Sequence, residues 1–455
     1  MYKEKYHIHF VGIAGIGMSG IAELLLDLGY IVSGSDLKLS DITDKLEKKG
    51  AIVFQGHAKK QISGADVVVV SSAISNANPE VVHAKQLLIP VISRAEMLAE
   101  LMRIKYSIAV SGSHGKTSTT SMIGQILNFA KLDPTIIIGG LIKTFDTNSL
   151  HGQGNFIVAE ADESDGSFLK YSPAIAIVTN IDLEHLDFYN NIDEIKAKFL
   201  EFINSVPFYG TAILCLDNEH IQDILPNLKT NYITYGLTAQ SDIQAKQITF
   251  SQDKTRFEVF KNNISLGFIT LNILGKHNVC NALAAIAASI ELNIDFAIIQ
   301  KALEEIQGVK RRLEIKSEKE DILIMDDYGH HPTEIIATLS AIREAYKQRR
   351  LILAFQPHRY TRTQKLFQEF LKAFYQCDIL IILPIYAASE KKIKDIDSKI
   401  LCEGISKHGH KDVSYAPDFN QALSMITHKL KAKDIVLTMG AGDIYMLGEQ
   451  LKDIL

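Results

Sequence analysis

The sequence predicts an α/β protein of three domains, each built around a mostly parallel sheet. The chain has 455 residues, a length that fits about three domains of ordinary size. Short apolar runs of strand length alternate with longer segments of helical periodicity, a pattern typical of βαβ units. Glycine-containing turns follow the first apolar run of both the N-terminal and the central part. Open α/β sheets bind their ligands at such strand ends.

The N-terminal part, residues 7–103, shows the βαβ pattern most clearly. An apolar run is followed by a helical segment that ends at Gly29, and further apolar runs come after it. We therefore expect a parallel sheet with helices on both faces. The expected strands are residues 7–13, 30–36, 65–74 and 89–93, and the expected helix is residues 18–29.

Two further α/β units follow along the chain. The segment GVKRR at residues 308–312 is interpreted as a hinge between them. The sequence thus predicts domains at residues 1–104, 105–310 and 311–455. In the second we expect strands at residues 107–110, 155–162 and 174–181 and helices at 192–206 and 274–292; in the third we expect strands at 321–328, 350–356, 378–385 and 434–442.

Composition and charge favour small-molecule chemistry. The net charge is −5 and no long basic run occurs, which argues against nucleic acid as a partner. The four cysteines form no C-x-x-C pair, so we expect neither disulfides nor a zinc site. No apolar stretch approaches the roughly 18 residues that a membrane helix needs, and we see no signal peptide. We expect a cytoplasmic protein that is not inserted in a membrane.

The segment SIAVSGSHGKT, residues 107–117, predicts a phosphate-binding loop between a strand and a helix. The N–H groups and the dipole of a helix N-terminus both favour an anion there. Lys116 can reach terminal phosphates, and the Thr117 hydroxyl can bind Mg²⁺. Gly112 and Gly115 lie closer together than the glycines of the usual G-x-x-x-x-G-K-[ST] loop, so we expect a shorter loop. An ordinary turn with a capping threonine is the alternative.

An acidic cluster predicts a metal site near this loop. Glu160, Asp162, Glu163 and Asp165 lie at the end of the expected strand 155–162, and His185 follows the next strand. The carboxyl ends of parallel strands meet at one edge of a sheet. Mg²⁺ prefers oxygen ligands, although a histidine can join them. Any one of these acids could instead be a solvated helix cap.

The N-terminal domain carries a G-x-G-x-x-G motif at Gly15, Gly17 and Gly20. Asp36 follows the second expected strand, at the spacing of an acid that binds a ribose. The motif predicts a nucleotide diphosphate at a helix N-terminus but does not specify NAD. A tight turn with close helix packing is the alternative.

Two strand ends of the third domain carry residues suited to a small charged substrate. MDDYGHHPTE, residues 325–334, places His330 and His331 beside acids, where they could be metal ligands, acid–base groups or satisfied polar residues. FQPHRYTRT, residues 355–363, contributes Arg359 and Arg362, which suit a bidentate grip on carboxylate or phosphate. Taken singly, each could be a surface charge.

With these motifs in place, the chain resembles the Mur ligase family over essentially its whole length. The motifs occur in the family order: VSGSHGKTSTT, VAEADESDGSFL, TNIDLEHLD, GKHNVCNALAA, GVKRRLE, DDYGHHPTE, QPHRYTRT and GAGDI. The resemblance implies an N-terminal Rossmann-like domain for a UDP-sugar, a central P-loop-type ATPase-like domain with a mostly parallel sheet, and a C-terminal Rossmann-like domain for an amino acid. The family loop runs G-x-x-G-K-[ST], which accounts for the shifted glycine.

Within the family, the chain is most similar to the branch that adds the first amino acid. This implies ATP-dependent joining of L-alanine to UDP-N-acetylmuramate in cytoplasmic peptidoglycan precursor synthesis, assisted by Mg²⁺. The γ-phosphate of ATP moves onto the lactyl carboxylate, and the alanine amine then displaces phosphate from the acyl phosphate. The expected partners are these three small molecules, and we expect a monomer or weak dimer.

The resemblance also implies roles for individual residues. Catalysis is expected of Lys116, Glu160, His185, His330 and Arg359. ATP is expected to contact Gly112, Ser113, His114, Gly115, Lys116, Thr117, Ser118, Asn278, Asn281 and Arg312, and the UDP-sugar to contact Gly15, Gly17, Gly20, Asp36, His57, Ser71 and Ser72. The amino acid is expected at Tyr328, His330, Arg359 and Arg362, and the metal at Thr117, Glu160 and His185.

Three other functions are weighed against this one. A recycling ligase of the same family attaches a murein tripeptide to the same UDP-sugar, and EADESDGSFL fits that branch less well. An NAD-linked sugar-nucleotide dehydrogenase would explain the N-terminal glycines but not the Lys116 loop. A non-catalytic nucleotide sensor would not need Glu160, His185 and the C-terminal arginines together.

Overall fold

A computed structural model describes residues 5–71, 73–142, 147–150, 152–185, 188–251 and 253–454. The chain divides into two compact units. The first unit comprises Met1–Gln244 and Asn281–Ala302, and the second comprises Ala245–Cys280 and Leu303–Leu455. Both are built on mostly parallel sheets with helices between the strands, so the predicted α/β class is confirmed.

The first unit opens with a five-stranded parallel sheet in the order β3-β2-β1-β4-β5. The predicted helix begins two residues earlier than expected, directly after Gly15. The strand β3 was not predicted, because this short edge strand exposes Ile52 to solvent and lacks a continuous apolar run. The elements are β1 His7–Val11, α1 Ile16–Asp27, β2 Ile31–Asp36, α2 Asp41–Lys48, β3 Ile52–Gln55, β4 Val67–Val70, α3 Pro79–Gln86, β5 Val91–Ser93 and α4 Arg94–Met102.

A second sheet of the first unit positions the predicted phosphate loop. Its elements are β6 Tyr106–Ser111, α5 Lys116–Phe129, β7 Thr135–Ile142, β8 Thr147–Leu150, β9 Phe156–Glu160, β10 Ile175–Val178, α6 Ile192–Ile203, β11 Thr211–Cys215, α7 Glu219–Ile224, β12 Tyr232–Gly236 and β13 Ile243–Ser251. Within the first unit the strand order is β13-β12-β11-β10-β6-β9-β7-β8, where β13 pairs with β12 through Ile243 and Gln244, and only β8 is antiparallel to its neighbour. Because β6 lies between β10 and β9, the carboxyl ends of these three strands meet.

The second unit contains an antiparallel hairpin and a six-stranded sheet. The hairpin joins β14 Lys254–Lys261 to β15 Ile264–Leu271 and was not predicted. Its strands alternate buried and exposed residues, and only Thr255, Phe257 and Val259 of β14 are fully buried. A half-exposed hairpin of this kind lacks the continuous apolar run that marks a strand of a parallel sheet.

The six-stranded sheet has the order β16-β17-β21-β18-β19-β20, and all its pairs are parallel except β16 with β17. The remaining elements are α8 Lys276–Glu291, α9 Phe296–Glu304, β16 Glu314–Lys319, β17 Ile322–Asp327, α10 Pro332–Ala345, β18 Leu351–Phe355, α11 Tyr360–Lys365, α12 Phe367–Phe370, β19 Ile379–Ile382, α13 Ser398–Lys407, β20 Val413–Tyr415, α14 Phe419–Lys429, β21 Ile435–Met439 and α15 Tyr445–Ile454.

The core of this sheet lies on both of its faces. Alternate residues of β18 point to opposite sides, so Leu353 and Phe355 join one apolar cluster while Ile352 and Ala354 join the other. Burial on both faces explains why the central strands were predictable as continuous apolar runs. Among the described residues, no helix combines the length and apolar character that crossing a bilayer requires.

Candidate active site

The loop between β6 and α5 depends on two glycines. Gly112 has a φ of +130° and Gly115 a φ of +85°, which side-chain-bearing residues rarely adopt. A Cβ on Gly112 would lie 2.1 Å from Thr179 Oγ1, and one on Gly115 would lie 2.4 Å from Asn281 Oδ1. The structure therefore explains both glycines of the motif by close approach as well as by backbone conformation.

Polar residues after β10 hold the middle of this loop in place. The Ser113 N–H donates to Asn180 O at 3.1 Å, and the His114 N–H donates to Asn180 Oδ1 at 2.8 Å. The Asp182 N–H donates to Ser113 Oγ at 2.9 Å, and His114 Nε2 lies 3.2 Å from Asp182 Oδ2. Asn180 and Asp182 were not selected from the sequence, although both lie in the TNIDLEHLD motif.

The side chain of Lys116 turns back into the loop. Its Nζ donates to Gly112 O at 2.6 Å and to both carboxylate oxygens of Glu163 at 2.9 Å. Glu163 is only 1% exposed, and its Oε1 also lies 3.4 Å from His185 Nε2. Glu163, a member of the predicted acidic cluster, therefore links the predicted lysine to the predicted histidine.

The charges around Lys116 shift the pKa values of the cluster. Burial opposes the charge of Lys116, but the carboxylates of Glu163, Asp162 and Glu160 outweigh it and raise the pKa of the ammonium. Burial likewise opposes ionisation of Asp162, yet Lys116 lowers the pKa of its carboxyl below the usual value. The pKa of His185 is raised because its contact with Glu163 outweighs burial. Lys116 and Asp162 are thus held charged together.

The donors around Lys116 have the chemistry that a magnesium ion requires. Glu160 ends β9 directly beside Val110 of β6, so its carboxyl group belongs to the same strand edge as the loop. Three carboxylates supply hard oxygen donors, and Thr117 lies half-buried in the first turn of α5, with Ser118 next to it. These residues fit Mg²⁺ better than a soft metal, which thiolates would favour.

The two predicted asparagines of α8 have different surroundings. Asn281 lies against the phosphate loop: Thr119 Oγ1 donates to its Oδ1 at 3.3 Å, and Gly115 packs beside it. In the second unit, Asn278 Nδ2 donates to Leu274 O at 2.7 Å and lies 3.2 Å from His277 Nε2.

In the glycine loop of the N-terminal sheet, each predicted glycine has a distinct environment. Gly15 caps the N-terminus of α1, and Gly20 lies on the side of α1 that packs against β7. A Cβ on Gly17 would lie 3.0 Å from Arg94 Nη1, so this guanidinium packs closely against the N-terminal turn of α1. Sequence reasoning missed Arg94, although its position directly after β5 was a usable signal.

The other predicted UDP-sugar residues lie at the carboxyl edge of the same sheet. Asp36 Oδ2 accepts the Ala14 N–H at 3.0 Å and so closes the glycine loop. Ser71 follows β4 and packs beside Gly12. His57 follows β3 and contacts Ser35 and the buried Glu80. Ser72 lies outside the described residues.

In the second unit, the structure brings together the predicted residues of β17 and β18. The ring of His330 lies 5.5 Å from that of Tyr328 and 5.6 Å from that of His358. Arg362 Nη1 lies 3.3 Å from His358 Nδ1. His358 was missed, although it stands in the same QPHRYTRT motif as the two chosen arginines.

Arg359 is held by an acid that sequence reasoning also missed. Its Nε donates to Glu390 Oε1 at 2.7 Å, and Glu390 additionally accepts from the hydroxyl and the N–H of Thr361. Arg359 has a φ of +71°, unusual for a residue with a side chain. The predicted Arg312 is the last residue of the expected hinge, residues 308–312. Its Cζ lies 5.3 Å from the centroid of the Tyr328 ring, and its Nη1 lies 3.5 Å from Glu334 Oε1.

Three family models match consecutive parts of the chain. The Mur ligase family catalytic domain matches residues 7–106, the Mur ligase middle domain matches residues 110–289, and the Mur ligase glutamate ligase domain matches residues 311–442.

Individual proteins are similar along the whole chain. A UDP-N-acetylmuramate–L-alanine ligase of Desulforapulum autotrophicum is 61% identical over 455 residues, which is 100% of both chains. The crystal structure of a UDP-N-acetylmuramate–alanine ligase of Thermotoga maritima has a TM-score of 0.80 and 28% identity and covers 99% of each chain. A murein peptide ligase of Psychrobacter arcticus has a TM-score of 0.68 and 26% identity and covers 98% of each chain.

The close approach at Gly112 yields a test of the phosphate loop. In Gly112→Ala, the new Cβ would collide with Thr179 and the N–H of Asn180, so the loop must move. We expect the dissociation constant for ATP, measured by calorimetry, to rise about tenfold or more. Gly50→Ala is the matched control, because Gly50 has a φ of +105° but nothing within 4 Å of its Cβ position. Unchanged ATP affinity in Gly112→Ala would contradict the assignment of the loop.

The lowered pKa values of two histidines in the second unit predict that the free energy of unfolding decreases in acid. Burial and the charge of Arg312 lower the pKa of the His277 imidazole to about 4. Burial also lowers the pKa of the His358 imidazole to about 4, with smaller effects from His330, Arg362 and Arg359. The folded state therefore binds fewer protons than the unfolded state, so stability is present above about pH 6.5 and falls as the pH drops toward 4.

We expect the melting temperature to fall between pH 7 and pH 5, and His358→Gln to reduce this fall by roughly 2 °C. His428→Gln, at an exposed position of α14, is the control and should retain the parent's pH dependence. An equally steep fall in His358→Gln would show that His358 is not held neutral.

Proposed function

Because this chain belongs to the Mur ligase family, we infer that it joins L-alanine to UDP-N-acetylmuramate in an ATP-dependent reaction. The observation that carries this inference is the 61% identity, over the full length of both chains, to a UDP-N-acetylmuramate–L-alanine ligase. The protein is thus an amide-bond-forming ligase of peptidoglycan synthesis.

The reaction needs ATP because a carboxylate does not react with an amine in water. Transfer of the γ-phosphoryl group onto the lactyl carboxylate of UDP-N-acetylmuramate gives an acyl phosphate and ADP. The uncharged amine of L-alanine attacks the acyl carbon, and the tetrahedral intermediate expels inorganic phosphate. Catalysis of such a transfer consists mainly of positioning and of stabilising the negative charge that develops.

Lys116 is suited to this charge stabilisation. Its ammonium is held charged by Glu163 and lies against the Gly112 carbonyl within the glycine loop. We propose that phosphate oxygens of ATP take up part of its hydrogen-bonding capacity while Glu163 keeps it in place. Gly112, Ser113, His114, Gly115, Thr117 and Ser118 complete the proposed phosphate loop, with Asn278, Asn281 and Arg312 as proposed further contacts to ATP.

Mg²⁺ is part of the proposal. Thr117, Glu160 and His185 would hold it, with the carboxylates of Asp162 and Glu163 beside them. When bound, it supplies neutralisation of phosphate charge. The protein's own contribution is to keep Asp162 ionised beside Lys116, as the lowered pKa of its carboxyl indicates.

The UDP-sugar and the amino acid are proposed to bind at the other two sheet edges. Gly15, Gly17, Gly20, Asp36, His57, Ser71 and Ser72 are the proposed UDP-sugar residues, and Arg94 joins them through its contact with Gly17. For alanine we propose Tyr328, His330, Arg359 and Arg362. The proposed domain limits remain residues 1–104, 105–310 and 311–455, and a cytoplasmic location is proposed with them.

The reaction is tested by ADP release that requires both UDP-N-acetylmuramate and L-alanine. Lys116→Met keeps the side-chain length but removes the charge, so we expect ADP release to fall at least about 100-fold with little change in UDP-sugar binding. Lys301→Met, at an exposed position of α9, is the control and should retain parental activity. Near-parental activity of Lys116→Met would remove the lysine from the proposed mechanism.

Acceptor choice is tested at Arg359. A bidentate arginine that holds the alanine carboxylate fixes the amine near the acyl carbon. Arg359→Lys keeps the charge but loses the second donor and the contact to Glu390, so we expect a KM for L-alanine raised about tenfold with an unchanged KM for ATP. Arg256→Lys, on an exposed position of β14, is the control.

A comparison of two acceptors distinguishes an alanine-adding ligase from a tripeptide-adding one. In L-Ala-γ-D-Glu-diaminopimelate the alanine carboxylate is part of a peptide bond, so Arg359 would have no carboxylate to bind. We therefore expect the kcat/KM of the parent protein to be much lower for this tripeptide than for L-alanine. A preference for the tripeptide would make the protein a recycling ligase. An unchanged KM for alanine in Arg359→Lys would exclude this arginine from the site.

A further inference from the structure

The N-terminal sheet contains a fully buried carboxylate that the proposed reaction does not use. Glu80, in the first turn of α3, is 0% exposed. Its Oε1 lies 3.3 Å from His9 Nε2, and its Oε2 lies 2.6 Å from Ser35 Oγ and 3.0 Å from His57 Nδ1. Glutamate is almost never fully buried unless its charge is compensated by partners of this kind.

Glu80 is ionised in the folded protein. Burial opposes ionisation, but the hydrogen bonds from His9, Ser35 and His57 outweigh it and lower the pKa of the carboxyl below its usual value. The position of Glu80 in the first turn of α3 also favours a negative charge, because the positive end of the helix dipole lies there.

An ionised Glu80 fixes the proton positions in the rest of the network. A carboxylate only accepts, so Ser35 donates its single hydroxyl proton to Glu80. His57 Nδ1 then faces two acceptors, Glu80 Oε2 at 3.0 Å and Ser35 Oγ at 2.9 Å, and must itself carry a proton. His57 is thereby held with Nδ1–H directed inward and Nε2 directed away from Glu80.

The other branch of the network ends inside the sheet and serves as an internal comparison. His9 Nε2 donates to Glu80, and His9 Nδ1 lies 2.8 Å from Ser33 Oγ. Ser33 Oγ also lies 2.7 Å from His7 Nε2. His9 is 0% exposed and cannot reach a ligand, whereas 12% of the His57 side chain is exposed.

The exposed end of the network lies where the nucleotide-sugar is proposed to bind. His57 follows β3 at the carboxyl edge of the parallel sheet, and the neighbouring Gly56 N–H donates to Asp36 O at 2.7 Å. The Ser35 carbonyl accepts the N–H groups of Gly12 and Ile13 at the start of the glycine loop. Glu80 thus holds both an imidazole and the strand end on which the loop rests.

We propose that Glu80 is a positioning residue for the UDP-sugar: it fixes His57 so that Nε2 contacts the bound nucleotide-sugar. This deepens the proposed function, on which it rests. Glu80 itself does not touch the ligand. Among the described residues the structure shows no hydrogen-bond partner for His57 Nε2, so this nitrogen is available to a polar group of the ligand.

Substitution of His57 by asparagine or glutamine distinguishes the role of Nδ1 from that of Nε2. In His57→Asn the amide nitrogen can replace Nδ1 beside Glu80, but nothing occupies the position of Nε2. In His57→Gln the amide reaches the Nε2 position instead. We expect His57→Asn to raise the dissociation constant for UDP-N-acetylmuramate about tenfold or more, measured by calorimetry, and His57→Gln to raise it less.

Glu80→Gln tests the positioning itself. The amide NH₂ of the new glutamine cannot accept a hydrogen bond, whereas His9, Ser35 and His57 all contact the Glu80 carboxylate. We therefore expect the dissociation constant for UDP-N-acetylmuramate to rise by about as much as in His57→Asn. Because Glu80 acts through His57, the double variant Glu80→Gln/His57→Asn should be no weaker than His57→Asn alone. The KM values for ATP and L-alanine should not change. Ser33→Ala is the matched control, since it disturbs the same buried network without touching His57, and should bind within twofold of the parent.

The outcomes distinguish this inference from the proposed function. A parent protein that neither binds UDP-N-acetylmuramate nor couples it to ADP release refutes the proposed function. A parent that does both, with His57→Asn binding as tightly as the parent, refutes the contact at Nε2. Additive losses in the double variant, or an equal loss in Ser33→Ala, show that Glu80 only stabilises the fold. If Glu80→Gln does not fold, the comparison of His57→Asn with His57→Gln still tests the contact at Nε2, without which Glu80 has no positioning role.

Discussion

The pairing of Lys116 with Glu163 is the constraint on which the central site depends. An ammonium group withdrawn from water is costly unless an opposite charge and further acceptors surround it. The strand order β10-β6-β9 meets this need, because it brings the lysine from after β6 to the acids from after β9 and to His185 from after β10. The two glycines of the loop, each with its side-chain position filled by a neighbour, follow from the same crowding.

The same device recurs at the other two sheet edges. A partly exposed charged or polar group is held by a second, more buried residue. Glu80 holds His57 in the N-terminal sheet, and Glu390 with Thr361 holds Arg359 in the second unit. Preorganisation of this kind lowers the entropic cost of ordering side chains when a ligand binds. It accounts for buried charged residues at positions where an apolar side chain would avoid the cost of desolvation.

Much of the site was predictable because its signals are local. The glycine loop at 112–117, the acidic cluster and the arginines of QPHRYTRT are contiguous motifs, and the structure places each at a strand end. Choices within a motif were harder. Glu160 and Glu163 belong to one acidic cluster in the sequence, and the structure places the carboxylate of Glu163 within hydrogen-bonding distance of Lys116. His358 and Arg94 also stood at strand ends and were passed over, although that position was a usable signal for both.

The sequence by itself determined the α/β class, the glycine turn between β6 and α5 and the strands that are buried on both faces, because apolar periodicity and turn glycines act over a few residues. Only the tertiary structure decided which distant residues meet. Lys116 and Glu163 are 47 positions apart, and Glu80 lies 71 positions from His9 and 23 from His57. These pairs depend on strand order and on which face of a sheet each side chain occupies. Strand order arises from the packing of the whole sheet, and a linear pattern of residues does not specify it.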